Sequence, residues 1–373
     1  MPDNGYGAVF SSARYIPSIF VKRDALQFTF FLTSRCNARC PFCFYWQDRH
    51  SQRDELTLDE IERFSATMGN LLWLLFSGGE IFLRKDLTRI VQAFYRNTRP
   101  VIITLPTNGM APDLIALRVE EIAAQCPRSA IVCKISLDGV GEEHDHLRDT
   151  PGNFDRAMET WERLRTLAER YDNLQIGINT VFCQENQDRM DEIIDFVDTL
   201  PGCETHTISM IRGNPAAADY KHIDLEKYKR AIDRLDLELK GEKPKMYHFT
   251  MARLKSAQDL VQRQLIYRTM RQSRRLLPCY AGRITAVMNE VGDVFPCEIL
   301  LDAMGNIREF DYDFRKLFHS EQADRVRAKI HRSRCYCSHE CYFVTNILFN
   351  PLMYGQVAGR YLQLAGKGTK VAR

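Results

Sequence analysis

Gln27-Phe28-Thr29-Phe30-Phe31-Leu32-Thr33, followed at once by Ser34-Arg35-Cys36-Asn37-Ala38-Arg39-Cys40-Pro41-Phe42-Cys43, is the stretch on which the reading of this chain turns. Its first half is an apolar, β-rich run. Its second half is a short loop with three thiols spaced C-x3-C-x2-C, tight enough to hold them on one face. Five more β-rich segments follow, at 72–76, 101–105, 131–137, 174–182 and 204–210. Amphipathic helical patterns lie between them. Thr57 and Glu60 form a capping-box pair ahead of Ile61, Phe64 and Met68. Asp86 is read as the cap of a helix carrying Leu87, Ile90, Val91 and Phe94, and Asn153 as the cap of one carrying Met158, Trp161 and Leu164. Strand and helix alternate over the first 210 residues. This predicts an α/β fold with a parallel sheet, helices outside it, and chemistry at the C-terminal ends of the strands.

The alternation stops after Arg212-Gly213-Asn214-Pro215, and a mostly helical, charged stretch runs to Pro278. Its strongly basic part, Arg253 to Arg275, reads as a solvated helix packed on one side, with a lid or substrate-carboxylate clamp as the alternative. From Cys279 onward cysteines, glycines and short strands dominate. The expected organisation is a catalytic domain over 1–213, a helical connector over 214–278, a cysteine-rich α+β domain over 279–350 and a tail over 351–373. A net charge of +3 in 373 residues gives no reason to expect nucleic acid. The first residues lack the features of a secretory signal, and apolar runs such as Leu71 to Phe76 are too short to span a bilayer, so a cytoplasmic protein without membrane association is expected. In such a chain twelve cysteines point to metal or cluster ligation rather than disulfides.

Three cysteines on one loop suit a four-iron cluster with one iron left open, because such a cluster normally carries a thiolate on each of its four irons. Zinc held by the same three cysteines and a fourth ligand such as His50, or plain buried thiols, are the competing readings. Position after the first strand favours the cluster. The spacing, with Phe42 just before the third cysteine, resembles the radical S-adenosylmethionine superfamily over residues 27–210. That resemblance implies a partial (β/α)6 TIM-like barrel in which the cluster binds S-adenosylmethionine through its open iron and cleaves it to a 5′-deoxyadenosyl radical. It also implies a flavodoxin- or ferredoxin-type electron donor.

The resemblance extends to the strand ends. Ser77-Gly78-Gly79-Glu80 matches the element that binds the methionine amino group, with Ile81 where the family often has proline. Two glycines permit close backbone approach or positive φ, and a carboxylate accepts from an ammonium. Asn108 lies in a turn after the third strand. Ser136 and Asp138 stand where ribose hydroxyls are expected, and Arg148, in His144-Asp145-His146-Leu147-Arg148, is the candidate partner of the cofactor carboxylate. The two histidines read as loop or cap residues rather than metal ligands. Asn179 in the fifth strand faces either the cofactor or the barrel core.

A second group comprises Cys279, Cys297, Cys335, Cys337 and Cys341, with Gly292-Asp293 as the turn of a hairpin that brings the first two together. It resembles the SPASM and twitch extensions of the same superfamily, which hold auxiliary iron–sulfur clusters. The full SPASM pattern has seven cysteines and two clusters; here two positions are missing. One auxiliary [4Fe-4S] cluster is therefore expected, on Cys279, Cys297 and two of the last three, with a second cluster using the spare cysteine or His339 as the alternative. A zinc ribbon is the competing reading. Cys126, Cys133, Cys183 and Cys203 lack spacing and read as buried thiols.

Relatives with such extensions oxidise side chains in sulfatases, crosslink ribosomal peptides or dehydrogenate small alcohols. The expected reaction is oxidation or crosslinking of a peptide side chain. About 26 residues precede the first strand, too few for the winged peptide-recognition domain of many such relatives, which weighs against the peptide reading unless a separate protein supplies recognition. Alternatives are a dehydrogenase or epimerase of a sugar or other small metabolite, and a non-catalytic iron–sulfur or zinc protein. Glu298, beside Cys297, is the candidate catalytic base; Tyr45 and Trp46 line the cavity or pack around the loop.

Overall fold

The computed structural model describes residues 9–46, 54–241, 246, 247, 249, 251–333 and 335–365. His50 lies outside them. Six strands alternate with helices: β1 Gln27–Thr33, α1 Leu58–Ala66, β2 Trp73–Gly78, α2 Leu87–Thr98, β3 Ile102–Thr107, α3 Pro112–Gln125, β4 Ala130–Ser136, α4 Glu142–Leu147, α5 Asn153–Ala168, β5 Leu174–Phe182, α6 Met190–Thr199 and β6 Thr205–Met210. All six strands run parallel in chain order, and β6 is an edge that does not return to β1. The barrel is therefore partial.

Side chains alternate across this sheet. From β1, Phe28 and Phe30 point outward and meet Phe64 of α1 and Phe94 of α2, with ring centroids 5.7–6.3 Å apart across the four rings. These rings are fully buried and fasten the first helices to the sheet. The other face carries Thr29, Leu75, Thr104 and their neighbours into the barrel interior.

Two of the three expected caps differ. Thr57 and Glu60 do form the capping box of α1. Asp86 makes no cap bond, because Arg84 takes its carboxylate (2.7 Å). Asn153 opens α5 after Gly152, and its amide donates to the Asn108 carbonyl (2.8 Å).

Beyond the barrel come α7 Leu225–Leu239 and α8 Ala252–Gln272, then β7 Thr285–Met288, β8 Asp293–Phe295 and β9 Gly305–Asn306. β7 pairs in parallel with β1, from Gln27 opposite Thr285 to Phe30 opposite Met288, so the cysteine-rich region continues the barrel sheet on the side away from β6. Gly292, at φ +92°, makes the turn into β8, where a Cβ would lie 2.8 Å from Ile307. The chain ends in α9 Phe314–Phe318, α10 Glu321–Arg332, α11 Glu340–Leu348 and α12 Tyr354–Ala365; α12 lies in the segment expected as a tail and packs on α8. Among the described residues no helix is long and apolar enough to cross a membrane.

Candidate functional site

The barrel interior and the C-terminal ends of its strands enclose a cavity of about 410 Å³. The cysteine loop forms its upper wall. Gly79 N donates to the Thr33 carbonyl and Glu80 N to the Arg35 carbonyl, both at 2.8 Å, pinning the loop to the end of β2. Such an approach leaves no room for side chains. A Cβ on Gly79 would lie 2.6 Å from the Arg35 carbonyl carbon, and one on Gly78, whose φ is +110°, 2.6 Å from the Thr33 oxygen.

Glu80 is buried and accepts from Asn108 N (2.8 Å), Thr107 Oγ1 (3.1 Å) and Phe82 N (3.2 Å). Burial nevertheless pushes its carboxyl up to about 7. A cation beside it would hold it ionised. Asn108 extends the chain of contacts, its amide donating to Asn37 Oδ1 (2.7 Å) and standing 3.9 Å from Cys36 Sγ.

Cys36, Cys40 and Cys43 all line the cavity. Ala38 N donates to Cys36 Sγ (3.5 Å) and Arg148 Nε to Cys40 Sγ (3.3 Å). Burial pushes the Cys36 thiol up to about 11, so metal binding there releases a proton. Among the described residues no three His, Cys, Asp or Glu side chains are grouped closely enough to hold a metal ion as they stand.

Arg148 also lines the cavity, while Asp138 is set back from the wall. Asp138 Oδ1 accepts from Val181 N (2.7 Å), and its Oδ2 lies 3.4 Å from Arg148 Nη1 without the alignment of a hydrogen bond. Both of those atoms are buried without a hydrogen-bond partner. An open buried donor at the wall, next to a carboxylate that needs a cation, suits a ligand carrying ammonium and carboxylate groups. These residues fit a three-thiolate cluster with such a ligand. Phe42, Ser77, Ser136 and Asn179 also line the cavity. His144 is buried and neutral, pulled down to about 3 by burial, and its Nδ1 accepts from Asp138 N (3.1 Å). Tyr45 bonds Glu290, and Trp46 donates to the Asn214 carbonyl (3.0 Å); neither lines the cavity.

The five C-terminal cysteines divide. Cys279, Cys297, Cys335 and Cys337 lie within electrostatic reach of one another. Of the five, only Cys341 lines the barrel cavity. Glu298 is buried at the same wall, 2.8 Å from His339 Nε2 and 3.2 Å from Arg212 Nη2. Burial opposes its charge, but His339 and Arg212 outweigh it and hold the carboxyl down at about 2. A carboxylate so held is a weak base. Arg212 also faces Glu340 (3.6 Å), which accepts from Met210 N (3.3 Å), tying the end of β6 to α11.

Sequence reasoning missed Lys134, Arg212 and Tyr247, all in the cavity wall. Lys134 had a signal, as the one charge inside an apolar strand. Arg212 and Tyr247 are placed by tertiary packing and had none.

Comparison with known proteins fits this geometry. Residues 30–197 match the family model described as the Radical SAM superfamily. Those residues form a radical SAM domain. Radical SAM enzymes carry a [4Fe-4S] cluster and bind S-adenosylmethionine, which assigns the cofactors of the barrel. The chain is similar to the AdoMet-dependent heme synthase of Methanosarcina barkeri, at 26% identity over 79% of this chain and 82% of that protein. It is also similar to the mycofactocin maturase MftC of Mycolicibacterium smegmatis, at 26% identity over 83% of this chain and 75% of that protein. The radical SAM fold is shared with Streptococcus suis SuiB bound to S-adenosylmethionine, at TM-score 0.57 and 15% identity over 83% of this chain and 68% of that one; SuiB has also been solved with its precursor peptide SuiA.

Gly79→Ala should leave far-UV circular dichroism unchanged while the loop loses its iron, about four atoms per chain. Full iron retention by anaerobic analysis would contradict the loop's dependence on this contact.

Proposed function

We propose that this radical SAM protein oxidises or crosslinks a peptide side chain held in the barrel cavity, using an auxiliary cluster as electron acceptor. One observation carries the reading: a single cavity is lined by Cys36, Cys40 and Cys43 at one place and by Glu298 and Cys341 of the C-terminal region at another. When bound, the loop cluster and S-adenosylmethionine supply one electron and a 5′-deoxyadenosyl radical that abstracts hydrogen. The chain's part is to hold and orient. Cys36, Cys40 and Cys43 ligate the cluster. Glu80 takes the ammonium its buried carboxyl needs, Arg148 offers its open Nη1 to the carboxylate, and Ser136 and Asn179 serve the ribose end, with Asp138 behind the wall beside Arg148.

Cys279, Cys297, Cys335 and Cys337 are cast as the ligands of one auxiliary [4Fe-4S] cluster, because of the five C-terminal cysteines only Cys341 lines the barrel cavity. Cys341 is then left in the wall of the substrate cavity. Glu298, the base expected from sequence, is better cast as a joint, since Arg212 and His339 already occupy it. A low-potential donor of the flavodoxin or ferredoxin type and the reducing cytosol suit the electron the loop cluster requires.

The relative named a maturase supports a peptide substrate, presented with or without a separate recognition protein. The relative named a heme synthase supports a second reading, a tetrapyrrole-like small molecule in place of the peptide. Isotope transfer separates them. Reduced protein given S-adenosylmethionine should form 5′-deoxyadenosine, and deuterium from a side-chain-labelled peptide should enter it. Deuterium arriving instead from a labelled porphyrin or sugar would establish the small-molecule reading, and no 5′-deoxyadenosine under any condition would reject both.

Iron analysis tests the division of the cysteines. Cys337→Ala should lose about four irons per chain and Cys341→Ala none. Loss of four irons from the Cys341 variant would place that residue among the cluster ligands.

A further inference from the structure

β4 reads Ala130-Ile131-Val132-Cys133-Lys134-Ile135-Ser136, and Lys134 turns into the barrel. Central parallel strands are nearly continuous apolar runs, so a buried lysine there demands a cause. Its side chain does not stay over its own strand. Lys134 is in register with Gly177 of β5, which is in register with Thr205 of β6. The ammonium crosses above Gly177, donates to the Thr205 hydroxyl, and reaches Thr207 Oγ1 at 3.3 Å. Glycine makes the crossing possible, since a Cβ at 177 would lie 2.9 Å from Lys134 Nζ and 2.6 Å from the Thr205 carbonyl oxygen.

An ammonium has three donors, and here two go to neutral hydroxyls. Among the described residues no carboxylate stands within ion-pair distance of Lys134; Glu204 and Asp259 act on it only through space. The basic helix α8 offers a contrast. There Lys255 pairs with Asp259, and Arg263 pairs with Asp236 at 2.9 Å. The cations expected from sequence to form a clamp are thus already paired. Burial draws the Lys134 ammonium down to about 8, which leaves it largely charged at neutral pH. Burying an uncompensated charge is costly, and a bound anion offsets that cost.

The surroundings narrow the anion. The Tyr247 ring stands 5.5 Å from Lys134 Nζ, and Trp73, Ile102 and Val132 line the same cavity beside the Lys255–Asp259 pair, which suits an apolar or aromatic body. One ammonium with two hydroxyls matches a carboxylate better than a phosphate dianion. Ser136 lies two residues further along the same strand face, about 7 Å towards the cofactor end.

We propose that Lys134, Thr205 and Thr207 form an anion seat on the cavity floor that takes a carboxylate of the substrate and sets which hydrogen faces the cofactor. This rests on the reading that the substrate reacts in the barrel cavity. Calorimetric titration of the reconstituted protein with S-adenosylmethionine bound, using 3-phenylpropionate and 3-phenylpropionamide as probes, tests it. The acid should bind at least about tenfold more tightly than the amide, as expected for a charge-assisted contact in a dry site. Lys134→Met should abolish that preference. Gly177→Ala, which keeps the ammonium but blocks its path to Thr205, should weaken acid binding several-fold. Equal affinities, no binding of either probe, or a preference surviving in Lys134→Met overturns the seat. Formation of 5′-deoxyadenosine by the reduced wild-type protein reports separately on the radical reading. Its presence without an acid preference sinks only the seat, and its absence with an acid preference sinks only the radical chemistry.

Discussion

Two backbone hydrogen bonds between the end of β2 and the cysteine loop, at Gly79 with Thr33 and Glu80 with Arg35, are the constraint on which the site depends. They can form only because residues 78 and 79 have no Cβ. Once the loop is fixed there, Glu80 is carried under it, and its carboxylate gathers Phe82, Thr107 and Asn108 around one buried charge. Asn108 then reaches Asn37 inside the loop, closing a ring of contacts across three strand ends. Three thiols, a carboxylate raised by burial and an arginine with an open donor are thereby held in one wall before any ligand arrives, which is the preorganisation that radical chemistry requires.

The C-terminal region is joined to this wall from two sides. On one side β7 adds to β1, the strand that feeds the cysteine loop, so the hairpin carrying Cys297 is registered against the loop's own strand. On the other, Arg212 at the end of β6 binds Glu298 and Glu340. A buried network of this kind adds little net stability, because desolvation consumes most of its Coulomb energy, but it fixes geometry closely. The separation between the two cysteine groups is thus set by a sheet and an ionic joint rather than by a flexible linker.

Much of the barrel was legible in the sequence because parallel strands advertise themselves as short apolar runs. The bounds read for β1 and β5 are those found, and the capping box at Thr57 and Glu60 is present. Asp86 and Asn153 misled because a side chain that can cap a helix can also serve another partner: Arg84, two residues away, takes the Asp86 carboxylate, and the Asn108 carbonyl, 45 residues earlier, takes the Asn153 amide. The glycines were read as permitting close backbone approach or positive φ, and both occur, the approaching backbone being that of the cysteine loop. That Cys341 lines the cavity could not be read from C-x-C-x3-C spacing, since α11 begins between Cys337 and Cys341. Lys134 was readable as an anomaly, but its reach to β6 depends on register across three strands, which no local pattern records.

Everything proposed here requires that the loop's three thiolates leave one iron free to bind S-adenosylmethionine. Low-temperature electron paramagnetic resonance of the reconstituted, dithionite-reduced protein tests this most directly, with spectra recorded before and after adding S-adenosylmethionine. The account predicts a reduced four-iron signal whose g values shift on addition. An unchanged spectrum, or zinc in place of iron at Cys36, Cys40 and Cys43, would contradict it.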